Sequence, residues 1–232
     1  MKDEETTAYE FLKGQGFSNI IYEPNGNRTP DFLLNYKIAV EVRRLNQHTT
    51  NLTKFRPLEE LYFKLLPKLK KLFDTYDNGK YTFSAFVTIH FGRPLKVDNN
   101  LLDKIKVILG IHSKTMEATV EYEINENLTL TIFPSTHRLD HQFNYGISVD
   151  NDSGGFVLSN ILDSLKLIIK EKEENIIPFY SEYETWWLIL IDFIGYGIDK
   201  NELTEIKCAM DKNKFDRIYF ISPNDVTKGN YI

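Results

Sequence analysis

Residues 29–45 read TPDFLLNYKIAVEVRRL, in which two apolar runs flank Asn35-Tyr36. Side chains alternate between the two faces of a β-strand, and this spacing predicts strands over 31–34 and 37–45 around an Asn35-Tyr36 turn. A helix over 3–14 and a strand over 18–23 are predicted before them. The chain is therefore expected to open with a helix followed by a three-strand meander.

The strand over 37–45 carries an acidic residue inside an apolar run. One face is expected to hold Ala39, Glu41 and Arg43. The other face is expected to hold Val40, Val42 and Arg44. A buried carboxylate such as that of Glu41 is costly unless it is paired or binds a metal.

Asp31 precedes the turn of the same hairpin and can pair across to the neighbourhood of Glu41. Two carboxylates converging from adjacent strands make a hard-oxygen site suited to Mg²⁺ or Mn²⁺. A cation there could orient a phosphodiester and lower the pKa of an attacking water. The alternative is structural, with Glu41 and Arg43 forming an ion pair on one face of the sheet.

Hydrophobic periodicity predicts a mixed α/β chain, because the strand-helix-strand order at its end requires a parallel crossover. The predicted helices are 3–14, 57–77, 99–112, 159–174 and 202–210. The predicted strands are 18–23, 31–34, 37–45, 81–91, 118–124, 128–133, 145–149, 185–192 and 217–222. We expect one domain over 1–232, with an insertion or embellishment at about 81–155.

The hairpin resembles the PD-(D/E)xK, or restriction-endonuclease-like, nuclease superfamily. Its signature is Pro-Asp, a variable gap and then acid-x-Lys on the next strand, and here Pro30-Asp31 and Glu41-Val42-Arg43 match it. The close resemblance covers about 45 residues. It implies a mixed β-sheet flanked by helices, with an additional strand-rich insertion. The later helix with Lys166, Lys170 and Lys172, followed by the strand at 185–192, also looks like the core of such folds.

The resemblance also implies a set of site residues. Asp31 and Glu41 would be ligands of Mg²⁺ or Mn²⁺, joined by the backbone carbonyl of Val42. The entering helix of the family often carries another glutamate, for which Glu10 or Glu5 is available. Together with Arg43, Asp31 and Glu41 are the predicted catalytic residues.

Arg43 departs from the family pattern, which has lysine at this position. Lysine can assist a nucleophile because its pKa can be depressed, whereas arginine stays protonated. Arg43 could still clamp a phosphate or the developing charge. Some members place the cation differently, so a lysine from a helix could substitute; otherwise the site would be slow or inactive.

Charge is unevenly distributed along the chain, whose formal net charge is −5. Residues 37–80 contain ten basic and five acidic residues, which leaves the remainder at −10. Such asymmetry suggests an anion-facing side on an otherwise acidic body. The predicted nucleic-acid contacts are Arg44, Lys64, Lys68 and Lys71; the alternative for the three lysines is a solvated helix face.

Composition excludes several other classes of protein. With 232 residues, 42% hydrophobic and 26% charged, the sequence is that of an ordinary globular protein rather than a disordered one. It contains no apolar run long enough to span a membrane and no evident signal peptide. The single cysteine, Cys208, excludes an internal disulfide and a cysteine-based zinc site, and it fits a reducing cytoplasm.

Taken together, these features predict a cytoplasmic, Mg²⁺- or Mn²⁺-dependent endonuclease that hydrolyses phosphodiester bonds in DNA. No membrane partner is expected, and a homodimer is left open. The alternative is a catalytically inactive nuclease-like module that binds nucleic acid or protein. That alternative predicts the Arg43 guanidinium in the metal position between Asp31 and Glu41.

Overall fold

The computed structural model describes residues 1–48, 56–77, 81–155 and 157–232. The chain divides into two compact units, one made of residues 1–48 and 155–232 and the other of residues 49–154. The second unit starts at residue 49, earlier than the expected insertion at about 81, so the helix predicted over 57–77 belongs to it. Two residues counted in the basic segment, Lys54 and Lys80, lie outside the described residues.

The described residues form a mixed α/β chain with two mixed sheets and five α-helices. The helices are α1 (Asp3–Gly14), α2 (Glu59–Asp74), α3 (Asn99–His112), α4 (Val157–Ile176) and α5 (Lys200–Ala209). The first five strands are β1 (Ile20–Tyr22), β2 (Phe32–Leu34), β3 (Ile38–Leu45), β4 (Ala85–Phe91) and β5 (Val120–Asn125). The others are β6 (Leu128–Pro134), β7 (Phe143–Asp150), β8 (Thr185–Asp192), β9 (Arg217–Ser222) and β10 (Asp225–Tyr231).

The first unit is built on a six-stranded sheet in the order β1-β2-β3-β8-β9-β10. The pairs β3–β8 and β8–β9 are parallel and the other neighbours are antiparallel. The predicted opening meander and the parallel crossover near the end of the chain are both confirmed. Strand β10 has no counterpart among the predicted strands, because its sequence, DVTKGNY, is polar and contains a glycine.

The connection between β2 and β3 is three residues long, 35–37, and the strand register follows from it. Asn35 and Tyr36 have positive φ angles of 49° and 61°, and the Lys37 N–H donates a hydrogen bond of 3.0 Å to the Leu34 carbonyl. The register pairs Phe32 with Val40 and Leu34 with Ile38. Asp31, one residue before β2, therefore comes opposite Glu41.

Helices cover both faces of this sheet. Val40 and Val42 of β3 pack in one core with Ala8, Phe11 and Leu12 of α1. Ala39 of β3 packs in the other core with residues of α4 and α5, which include Ile161, Leu165, Ile168 and Ile206. The predicted assignment of alternate β3 residues to opposite faces is thus confirmed for its apolar positions.

The second unit has a four-stranded sheet in the order β5-β6-β4-β7, in which β4 and β7 are parallel. Its core contains alternate residues of the strands together with residues of α2 and α3, such as Leu65, Leu69, Ile105 and Leu109. In neither unit is any described helix long and apolar enough to cross a membrane.

Candidate carboxylate–lysine site

Asp31 lies beside β3, where the hairpin register brings it. Its Oδ2 accepts a hydrogen bond of 2.7 Å from the backbone N–H of Val42. In an extended strand the N–H and C=O of one residue point to the same edge, since directly opposed residues exchange both bonds. The carbonyl of Val42 therefore points to the same edge of β3 as Asp31. This position is required if the carbonyl and the Asp31 carboxylate are to bind one ion.

Glu41 is buried, with 2% of its surface exposed. Its Oε2 accepts a hydrogen bond of 2.6 Å from Nζ of Lys172 on α4. The same Nζ lies 3.8 Å from Oδ2 of Asp31, so one ammonium group faces both carboxylates. Among the described residues, the other oxygen of Glu41, Oε1, has no hydrogen-bond partner although it is buried.

The protein environment raises the pKa of Glu41 above its ordinary value of 4.5. Burial is the largest cause, because it disfavours the charged carboxylate. The Lys172 charge opposes this effect, and the negative charge of Asp31 adds to it. The Thr29 hydroxyl also lowers the pKa, although it makes no hydrogen bond of normal geometry to Oε1.

Lys172 reaches Glu41 because it continues the buried stripe of α4. The buried positions of this helix include Ile161, Leu165, Ile168 and Ile176. These positions recur every three or four residues, and Lys172 occupies the place between Ile168 and Ile176. Its side chain is 12% exposed. A lysine at a core-facing position of a helix is the signal in the sequence that marks this residue.

Arg43 is on the α4 side of the sheet, as predicted, but makes a different contact. Its guanidinium pairs with Glu171 of α4 at 3.3 Å, and the two side chains are 37% and 52% exposed. Lys172, and not Arg43, supplies the cation that contacts Glu41 and Asp31. The inactive-module alternative expected the Arg43 guanidinium at that position, and the structure differs from that expectation.

Arg44 is on the opposite face and contacts α1. Its side chain pairs with Glu4, through Nε at 2.6 Å and Nη2 at 2.5 Å from Oε1. The guanidinium also lies over the ring of Phe193, 4.2 Å from its centroid. Arg44 therefore links α1 to the sheet, and its predicted contact with nucleic acid stays a prediction.

The two α1 glutamates considered as further metal ligands differ in their surroundings. Glu10 is exposed. Glu5 is buried, and its Oε2 accepts hydrogen bonds from the Lys2 N–H and the Tyr22 hydroxyl, each at 2.8 Å. These bonds and the Lys2 ammonium outweigh the effect of burial, which alone would raise the Glu5 pKa, so that this pKa is lowered. Both Lys2, which precedes α1, and Tyr22 thus already contact the Glu5 carboxylate.

Lys64, Lys68 and Lys71 are exposed on α2, within the second unit. Lys64 pairs with Glu60 one turn earlier, and Lys68 donates a hydrogen bond of 2.9 Å to the carbonyl of Val97. The helix face predicted from the lysine spacing is confirmed. Its part in binding nucleic acid stays a prediction.

His137 and His141 are four positions apart, a spacing that would align them for a metal only within a helix, and the segment between β6 and β7 is not helical. His141 instead pairs with Asp77, and this hydrogen bond raises the pKa of His141. Of the residues that the structure describes, Asp74, Asp77 and His141 are the one group of three acidic or histidine side chains close enough to share an ion. Asp77 and His141 are already paired with each other, and exposed acidic groups of this kind are common without an ion.

The donor set around Glu41 fits a divalent cation. Asp31 and Glu41 offer carboxylate oxygens, and Val42 offers a carbonyl oxygen on the same side; hard oxygen donors suit Mg²⁺ and Mn²⁺. The buried Oε1 of Glu41 is the atom whose hydrogen-bonding capacity is unfilled. An ion there would also favour the charged form of Glu41 against burial.

No family model, no curated protein and no solved structure matches this chain.

Proposed function

We propose that the first unit is a divalent-metal-dependent nuclease that hydrolyses phosphodiester bonds in DNA, with its centre at Asp31, Glu41 and Lys172. The observation that carries the proposal is the buried Glu41 carboxylate, whose Oε2 contacts Lys172 at 2.6 Å and whose Oε1 has no hydrogen-bond partner among the described residues. A purely structural ion pair leaves no reason for a second, unsatisfied oxygen, because an unpaired buried acceptor costs about 1–3 kcal/mol.

Asp31, Glu41 and the Val42 carbonyl would hold the ion. A bound Mg²⁺ or Mn²⁺ supplies charge neutralisation at the phosphate and a lowered pKa for the attacking water. The protein contributes position: the β2–β3 register sets Asp31 opposite Glu41, and the Val42 N–H orients the Asp31 carboxylate. A site held by backbone bonds of a sheet is preorganised for a charged transition state.

Lys172 takes the role that the superfamily assigns to the lysine of acid-x-Lys. It reaches the carboxylates from α4, and its compact ammonium group lies 2.6 Å from Glu41 and 3.8 Å from Asp31. We assign to it the orientation of the attacking water and the neutralisation of developing charge. Arg43 is partly exposed and pairs with Glu171. We therefore limit its role to contacting a phosphate.

Cleavage of plasmid and single-stranded DNA in Mg²⁺ or Mn²⁺ tests the proposal. Glu41→Gln keeps the shape of the side chain and removes its charge, and it should lower the rate by about 10²-fold or more. Glu171→Gln makes the same chemical change one residue from Lys172 and should leave the rate within about threefold of the wild type. Equal activity of the wild type and Glu41→Gln would show that Glu41 has been assigned wrongly.

The second candidate is a nuclease-like module without catalysis that binds nucleic acid or protein. It is favoured by the Lys172 ammonium itself, which lies within 4 Å of both carboxylates and partly neutralises them without an ion. Calorimetric titration with Mn²⁺ separates the two candidates. Saturable binding that disappears in Asp31→Asn supports the enzyme, and no binding by the wild type supports the module.

A further inference from the structure

The second unit contains a groove that the proposed nuclease site does not use. It has a volume of about 840 Å³. One wall is formed by Arg56, which precedes α2, and by Leu61, Lys64 and Lys68 of α2. The other is the segment 93–97 between β4 and α3. This volume lies within the range of about 300–1,000 Å³ that is typical of small-ligand sites.

The lining of the groove is amphipathic. Its cationic side chains are Arg56, Lys64, Lys68, Arg93 and Lys96, and its one acidic side chain is Glu60. The apolar part consists of Pro57, Leu61, Pro94, Leu95 and Val97. A ligand that matches this lining carries negative charge at one end and a flat or apolar body at the other.

The walls are held in place by polar contacts. Arg93, whose side chain is 9% exposed, makes a two-pronged contact with Asp150 at 2.6 and 2.7 Å and also contacts the Leu58 carbonyl. Lys68 crosses the groove to the carbonyl of Val97 at 2.9 Å. Because these contacts exist without a ligand, binding would cost little ordering of the protein.

We infer that this groove binds a nucleotide, with its phosphate against Lys64 and Lys96 and its base against Leu61, Leu95 and Val97. Lys64 and Lys96 pair with Glu60 and Asp98 only through exposed contacts, which a phosphate can replace. The flat face of a base matches the apolar wall. The nucleotide can come from two sources, a free mononucleotide or a unit of a single strand. The inference does not depend on the carboxylate–lysine site, since every lining residue belongs to the second unit.

Fluorescence anisotropy of the full chain in EDTA tests the inference without any metal chemistry. The probe is a labelled deoxythymidine strand, and the competitors are an abasic strand of equal length and AMP. The strand should bind with an affinity that falls with salt, as phosphate contacts require. The abasic strand should compete about tenfold more weakly than an unlabelled thymidine strand, because it lacks the contact of the bases with the apolar wall.

The diagnostic variant is Lys64→Glu with Lys96→Glu, and it should weaken binding by about tenfold or more and reduce the salt slope by about 1–2. Lys96 is 88% exposed and Lys64 is 55% exposed, so neither substitution threatens folding. The matched control is Lys104→Glu with Lys106→Glu, which makes the same charge change at exposed positions of α3.

Three results would overturn the inference: no binding by the wild type, an equal loss in the control, or equal competition by the abasic strand. Displacement of the probe by AMP would identify a free nucleotide as the source, and displacement only by strands would identify a polymer; both support a nucleotide site. A loss of Mg²⁺-dependent cleavage with intact anisotropy in EDTA would concern the nuclease proposal alone.

Discussion

Nζ of Lys172 on α4 lies 2.6 Å from Oε2 of Glu41 on β3, although the two residues are 131 positions apart in the chain. The cation that neutralises the Glu41 carboxylate therefore comes from a helix and not from the neighbouring strand residue, Arg43. A lysine therefore contacts this carboxylate, although an arginine occupies the position two residues after Glu41. It also makes the roles of Lys172 and Arg43 separable by mutation.

Lys172→Met should lower the cleavage rate by about 10²-fold or more, because it removes the ammonium group that orients the attacking water and neutralises developing charge. Arg43→Met should lower the rate by less than about tenfold, since its guanidinium is half-exposed and paired with Glu171. Lys172→Met should also lower the free energy of unfolding by about 3 kcal/mol, because it leaves the Glu41 charge buried without its partner. Initial rates on plasmid DNA and urea unfolding measure both effects.

Lys172→Arg separates the position of the cationic donor from its charge. Arginine restores a cation next to Glu41 but replaces the compact ammonium group with a larger, planar guanidinium. The variant should recover most of the stability that Lys172→Met removes and should remain impaired in cleavage. Full recovery of the rate by arginine would mean that Lys172 acts only through its charge, and its assigned role in orienting the attacking water would be wrong.

The raised pKa of Glu41 gives a pH dependence of stability with a definite sign. Above pH 4.5 the folded protein holds the Glu41 proton more tightly than the unfolded chain does, so this residue makes unfolding easier as the pH rises through the raised pKa. Glu41→Gln lacks the titration. In EDTA, its free energy of unfolding relative to the wild type should therefore increase as the pH rises from 4.5 through the raised pKa of Glu41, as urea unfolding at several pH values would measure.

Glu171→Gln is the control for this pH profile, because Glu171 is 52% exposed and lies on the same helix as Lys172. Its stability relative to the wild type should change much less over the same pH range. An increase as large as that of Glu41→Gln would attribute the effect to the charge of α4 as a whole. In that case burial of Glu41 would not be its cause.

The sequence predicted the elements of the first unit more completely than its site. Alternation along β3 placed Glu41 and Arg43 on one face and Arg44 on the other, and the contacts with α4 and α1 agree. Strand periodicity carries this information because it is local. Which cation faces Glu41 depends on the packing of α4 against β3, and two residues 131 positions apart leave no local pattern.

Lys172 nevertheless has a detectable signature in the sequence. It lies in phase with Ile161, Leu165 and Ile168 on the buried stripe of α4. A lysine at such a position must find an acidic partner, because an unpaired buried charge is costly. Glu41 is the glutamate within an apolar run of the predicted hairpin, so the sequence contains the information needed to predict the Lys172–Glu41 pair. The start of the second unit at residue 49 has no comparable signal, since helix α2 is amphipathic whichever unit it packs in.

The Arg43–Glu171 pair should contribute little to stability. Its side chains are 37% and 52% exposed, and solvent screens such pairs. A double-mutant cycle with Arg43→Met and Glu171→Gln should give a coupling energy below about 1 kcal/mol. A coupling of several kcal/mol would mean that the pair holds α4 on the sheet, and the mild activity effect expected for Arg43→Met would have to be reinterpreted.

Arg44 should matter for stability more than for binding. Its guanidinium lies 4.2 Å from the centroid of Phe193 and contacts Glu4, and the Arg44 and Glu4 side chains are only 27% and 20% exposed. Arg44→Ala should lower the free energy of unfolding by about 1–3 kcal/mol, because it removes the cation–π interaction and the ion pair. Urea unfolding measures this effect, with Arg43→Ala as the control on the other face of the same strand.

The same variant decides whether Arg44 also binds nucleic acid, as the sequence predicted. Loss of a single phosphate contact at moderate salt weakens DNA binding by more than about twofold. If Glu4 and Phe193 hold the Arg44 guanidinium away from DNA, the affinity of Arg44→Ala measured by anisotropy should therefore fall by no more than about twofold. A fall of about fivefold or more, together with a shallower salt dependence, would restore Arg44 to the nucleic-acid-binding residues. Its position on the α1 side of the sheet, opposite Glu41, would then require nucleic acid to approach that face as well.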